Sequence, residues 1–148
     1  LPKFSKIHPV AYSADKMFAL VADVEKYPQF LPLCESLVVR SRREKEGREI
    51  LVAEMGVGYK SIRQLFTTQV VLNSQDLRID VQYLDGPFRR LDNNWRFEPT
   101  GAESCNVHFD IDYEFASRSL GMLMGSMFDY AFRRFTSAFE ERARTVYA

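Results

Sequence analysis

Histidine and cysteine are both scarce, with two of each in 148 residues. Cys34 and Cys105 are too few for a disulfide framework, and neither they nor His8 and His108 stand at metal-ligand spacing. A charge excess is also missing: Lys plus Arg and Asp plus Glu number 20 each. No global field therefore draws the chain toward nucleic acid or an anionic bilayer, which leaves only local patches for such contacts. The most apolar stretch, LGMLMGSMFDYAF, is interrupted by Asp129 and falls short of the ~20 apolar residues of a membrane-spanning helix. No repeat, low-complexity tract or Gly/Ser/Pro-rich linker divides the sequence, so one domain over residues 1–148 is expected. The opening LPKFSKIHPV does not follow the plan of a secretory signal, and a reducing compartment is expected, although a processed precursor would start the same way.

What the sequence does contain is periodicity. Residues 3–10 read as a strand, with Pro9 marking an edge or a strand end. Ser13 and Asp15 offer a helix start, and Met17, Phe18, Leu20, Val21 and Val24 follow at helical spacing, which predicts a helix over 14–24. Pro28 and Pro32 break it, leaving EKYPQFLP as a short second helix or a pair of turns. From Cys34 the period becomes two. Strands are expected over 35–46, 48–58, 60–72, 77–83, 88–98 and 105–115, joined by turns such as EKEG and NSQD. In CNVHFDIDYEF the odd positions Cys105 to Phe115 are dry and the even ones wet. A helical stripe from Leu120 to Phe139 then predicts one long helix over 117–146. Strand, two short helices, six strands and a long helix pack best as an α+β fold, a curved antiparallel sheet wrapped around the last helix. That architecture usually encloses a cavity.

Alternation sends Asp110, Asp112 and Glu114 outward, where carboxylates are hydrated, and His108 shares that face. Glu44 and Glu46 interrupt the cations of SRREKEG, so it reads as a charged hairpin tip. No acid/base pair, nucleophile or metal cluster is recognisable, and neither catalysis nor a catalytic cofactor is expected. Apolar surface is in surplus instead. Five methionines and twelve phenylalanines supply adaptable lining, and the corner VADVEKYPQFLPLC spends Tyr27, Phe30 and Leu31 where polar residues are usual. The dry face, with Met55, Ile79, Val81, Tyr83, Trp95, Phe109 and Ile111, is expected to line a continuous cavity against the final helix.

Three segments, YSADKMFALVADVEKYPQFLPLC, LDGPFRRLDNNWRFEP and FDIDYEFASRSLG, together resemble the coenzyme Q-binding START-domain family, which also contains the bacterial ribosome association toxin type. The resemblance runs from the first helix to FEERARTVY. It implies a helix-grip, START-like fold and noncatalytic binding of a hydrophobic ligand such as ubiquinone or a related polyprenyl quinone. The positions carried over are Tyr27, Phe30, Leu31, Pro32 and Cys34, then Gly86, Pro87, Phe88, Leu91, Trp95 and Phe97; Leu33 stands where many members have an aromatic residue. With Leu33, Phe88, Met124 and Phe128 added, corner, dry face and helix make up the expected ligand site. Phe30, Leu31, Leu33, Met122 and Met124 are expected to frame a portal that rests on a membrane surface.

Two functions follow from the resemblance. One is quinone delivery to respiratory complexes or quinone-modifying enzymes, at the inner face of a bacterial membrane or the matrix side of the mitochondrial inner membrane. The other is association with a ribosomal subunit and inhibition of translation, for which Arg40, Arg42, Arg43, Arg89 and Arg90 are the candidate contacts.

Overall fold

The computed structural model describes residues 3–148. Strand β1 (Lys3–Val10) leads to α1 (Ala14–Ala22) and a 3₁₀ segment (Val24–Gln29). Six strands follow: β2 (Cys34–Lys45), β3 (Arg48–Tyr59), β4 (Ile62–Asn73), β5 (Arg78–Asp85), β6 (Phe88–Gly101) and β7 (Ser104–Phe115). Helices α2 (Arg118–Arg133) and α3 (Phe135–Val146) close the chain. The sheet order is β1-β7-β6-β5-β4-β3-β2, and every neighbouring pair is antiparallel. The curved seven-stranded sheet with helices in its concavity is the helix-grip arrangement expected.

Local chemistry explains the boundaries. The Ser13 hydroxyl accepts a hydrogen bond from the Lys16 N–H at 3.2 Å and so caps α1. Pro28 lies inside the 3₁₀ segment, where its ring prevents an α-helical continuation. The β2–β3 turn places Glu46 at φ 53° and Gly47 at φ 79°, the left-handed pair that matches the twist of a two-residue hairpin. Pro9 sits on β1, an edge strand, where its missing N–H costs no ladder bond. Register shifts within β2, at Thr67/Thr68 and at Phe88/Arg90 help curve the sheet around the helices.

The expected single C-terminal helix is two. The backbone breaks at Arg134, whose N–H turns back to the carbonyl of Ala131 at 3.1 Å, and α3 begins at the next residue. Neither proline nor glycine stands at the break. The bend brings Phe132 at the end of α2 within 5.4 Å, ring to ring, of Phe135 at the start of α3.

Candidate functional site

A cavity lies between the concave face of the sheet and the helix pair. Its wall takes Leu37 from β2, Ala53 and Met55 from β3, Phe66, Thr68 and Val70 from β4, and Ile79 and Val81 from β5. Leu91, Asn93 and Trp95 from β6 and Ile111 from β7 complete the sheet side, while Val24, Tyr27, Phe132, Phe135 and Phe139 close the other. Each strand contributes alternate residues because only every second side chain points inward. The space open to the centre of a water-sized sphere is about 70 Å³, well below the roughly 300–1,000 Å³ of pockets that hold larger ligands. The cavity is a narrow apolar slot.

Among the described residues two non-aromatic polar side chains, Thr68 and Asn93, interrupt its apolar wall, and both are buried. Asn93 is held on both sides, its Nδ2 donating to the carbonyl of Asp110 at 2.9 Å and its Oδ1 accepting from Trp95 Nε1 at 3.0 Å. An asparagine amide has further capacity on each atom, and the threonine hydroxyl can both donate and accept. Neither residue is among the expected ligand positions. The signal was available in the strand pattern, since Asn93 falls between Leu91 and Trp95, and Thr68 between Phe66 and Val70, at inward positions.

Phe139 joins the opening corner to this wall. Its ring centroid lies 5.3 Å from Trp95, 5.3 Å from Tyr27 and 5.1 Å from Phe30, each in an edge-on arrangement. The Tyr27 hydroxyl donates to the carbonyl of Val21. Burial, with the neighbouring Cys34 and Asp23 adding to it, pushes that hydroxyl far above its ordinary range, so it stays protonated. The aromatic corner is thus a clamp on the helix.

Of the expected ligand residues, Tyr27, Met55, Ile79, Val81, Trp95 and Ile111 border the cavity. The others do not. Phe109 is fully buried behind the wall, 4.6 Å from Trp95 and 5.8 Å from Phe135. Tyr83, Phe88 and Phe128 belong to a packed aromatic cluster with Phe66, Tyr113 and Phe115, centred on Phe88. Leu31 and Cys34 are core residues; the Cys34 Sγ faces the Ser36 carbonyl at 3.6 Å and burial lifts its pKa to about 11. Phe30 and Pro32 border a separate surface groove against α3. The expected portal is also revised, because Met124 is completely buried whereas Met122 is 82% exposed. Two residues apart on a helix, they face opposite sides.

Leu33 has φ 65°, a left-handed conformation costly for a leucine. Its carbonyl accepts from the Gly58 N–H at 3.0 Å, which ties the corner to β3. With Tyr59, Ile62, Leu123, Ser126, Met127 and Tyr130 it lines a surface groove of about 390 Å³ between the β3–β4 turn and α2.

The candidate arginines do not form one patch. Arg40 and Arg42 lie on edge strand β2, while Arg89 and Arg90 lie on β6, four strands away in the sheet order. Arg40 pairs with Glu54 at 2.7 Å and Arg42 with Glu25 and Glu49, while Arg89 and Arg90 meet Glu114, and Arg90 also meets Asp112. Among the described residues no group of His, Cys, Asp and Glu could hold a metal ion. No described helix is long and apolar enough to cross a membrane.

A curved sheet gripping C-terminal helices over an apolar slot defines the START-like class of α+β proteins. The chain belongs to the polyketide cyclase/dehydrase and lipid transport family, which it matches over residues 10–140. It is 34% identical to the ribosome association toxin RatA of Escherichia coli (strain K12) across 100% of this chain and 90% of that protein. It is 28% identical to the mitochondrial coenzyme Q-binding protein COQ10 homolog B of Xenopus laevis, covering 98% of this chain and 59% of that one. A START superfamily protein from Mycobacterium smegmatis superposes with a TM-score of 0.81 at 23% identity, covering 97% of this chain and 98% of that chain.

Proposed function

We propose that this protein binds, without chemically changing it, an elongated apolar ligand that carries a hydrogen-bonding ring, of the polyprenylated quinone class. The observation that carries the reading is the apolar slot in which, among the described residues, Thr68 and Asn93 are the only non-aromatic polar side chains. The threonine hydroxyl is suited to donate to a quinone carbonyl, while the surrounding wall takes the isoprenoid chain. Each buried CH₂ is worth ~0.8 kcal/mol, so a few isoprene units supply most of the ~8.2 kcal/mol of a micromolar affinity. The likeness to a coenzyme Q-binding protein supports the ligand class. Among the described residues the wall has no histidine or carboxylate to act as acid or base, and this supports a carrier over the cyclase and dehydrase activities in the family description.

The slot must widen to admit such a ligand, and its helix side is closed by Phe132, Phe135 and Phe139 of α2 and α3. Trp95, the single tryptophan of the chain, is therefore a built-in reporter. A short-chain quinone added to the protein should quench its fluorescence saturably, and organic extraction of freshly purified protein should release a quinone detectable by mass spectrometry. Absence of both signals would refute the reading.

The likeness to RatA, over 100% of this chain and 90% of that protein, favours a second reading, association with a ribosomal subunit. Such binding would rest on local arginine contacts to phosphate and weaken steeply with salt. Because Arg40 and Arg42 are already ion-paired, Arg43 is the sharper substitution. Cosedimentation with ribosomal subunits that is insensitive to both salt and Arg43→Glu would remove the β2 arginines from the ribosome reading.

A further inference from the structure

The groove between the β3–β4 turn and α2 has apolar side chains that stand out from the surface on both of its banks. Leu123 is 58% exposed, Tyr130 48% and Tyr59 46%, and Met122, next to Leu123 on α2 and outside the groove lining, is 82% exposed. Their placement has a pattern. The Lys60 ammonium lies 5.3 Å from the centre of the Tyr59 ring, and the Arg134 guanidinium lies 3.6 Å from that of Tyr130. Each bank thus carries an aromatic ring with a cation held against it, which is the chemistry favoured at the boundary between hydrocarbon and lipid headgroups.

The nearby acids do not cancel these cations. Glu35 is engaged by Arg63 at 2.9 Å and Asp129 by Arg133 at 3.0 Å. Leu33, whose left-handed backbone is held by the Gly58 bond, adds its side chain to the groove. A strained conformation kept in place is a recurring mark of a surface with a task.

From these observations we infer that this strip, with Met122 and Leu123 at its prow and Lys60 and Arg134 at its flanks, is where the protein lies on an anionic bilayer. The apolar side chains enter the acyl boundary and the two cations meet lipid phosphates. A second copy of the chain fits the strip less well. A two-fold interface sets the same patch against itself and would bring the cations of one copy toward those of the other. The inference stands apart from the quinone reading, since it concerns the outer surface and not the slot.

The test is sedimentation of the full chain with vesicles of phosphatidylcholine alone and of phosphatidylcholine mixed with phosphatidylglycerol. The parent protein should sediment with the mixed vesicles. Met122→Asp combined with Leu123→Asp should weaken that binding roughly tenfold or more, while the melting temperature stays where it was because both side chains are exposed. Lys60→Glu with Arg134→Glu should remove the preference for phosphatidylglycerol. Parent protein that stays in the supernatant with both vesicle types would overturn the inference, as would undiminished binding by the aspartate variant. A parent dimer that Leu123→Asp dissociates, with no vesicle binding, would assign the strip to self-association instead. Quenching of Trp95 by a water-soluble quinone needs no vesicle, so failure of the slot reading would show separately.

Discussion

Replacing Asn93 by leucine should destabilise the protein even though it makes the interior more apolar. The side chain is buried and makes two hydrogen bonds, one to the Asp110 carbonyl and one from the Trp95 indole. Losing the first costs ~1 kcal/mol, and leaving the buried indole N–H without an acceptor costs ~1–3 kcal/mol. Leucine recovers ~1 kcal/mol through its extra apolar burial. The net loss is about 2 kcal/mol, which for a domain of this size lowers the melting temperature by roughly 4–8 °C. The decisive assay is a double-mutant cycle read by urea denaturation and followed by circular dichroism, because the partner substitution Trp95→Phe removes the fluorophore. Phenylalanine carries no N–H to orphan, so Asn93→Leu should cost about 1–2 kcal/mol less in the Trp95→Phe background. Strict additivity of the two substitutions, or an Asn93→Leu protein as stable as the parent, would refute the assignment of Asn93 as the residue that holds Trp95 in place.

Thr68→Val keeps the shape of the slot and removes its hydroxyl, so quinone affinity should fall roughly fivefold to tenfold for a lost bond of ~1 kcal/mol, with Trp95 quenching as the readout. Leu33→Gly should leave stability within about 1 kcal/mol of the parent, since relief of the left-handed backbone at φ 65° offsets the lost side-chain contacts; Leu33→Ala, which keeps the strain, should be clearly less stable in the same urea titration. Burial raises the pKa of Cys34 and of Cys105 to about 11 from an ordinary 9.0. The unfolded chain therefore loses these protons first, so stability should be level below pH 9 and fall as pH rises through the 9–11 window. Native protein at pH 8 should accordingly react with a thiol reagent only as fast as it opens, and rapid labelling of both cysteines would contradict the burial.

Much of the architecture was legible from periodicity alone. Side chains alternate across a strand, so an odd and even pattern such as that of CNVHFDIDYEF assigns a dry face before any partner is known, and β7 follows it residue by residue. The proline-marked corner and the order of elements were legible for the same reason: they depend on neighbours in sequence. Depth was not. Met55 and Phe109 both sit on the dry face, yet one borders empty space and the other is sealed behind Trp95, a difference made by how far the helices descend into the sheet. The break at Arg134 has no residue of its own to announce it. Met122 and Met124 read alike in the sequence and diverge only when α2 turns one toward the core and the other outward. Arg40, Arg42, Arg89 and Arg90 likewise became ion-paired through carboxylates on other strands and on the 3₁₀ segment. Local pattern determines which way a side chain points, because that is a property of the backbone. What it meets there is decided by segments distant in the chain, and only the assembled fold brings them together.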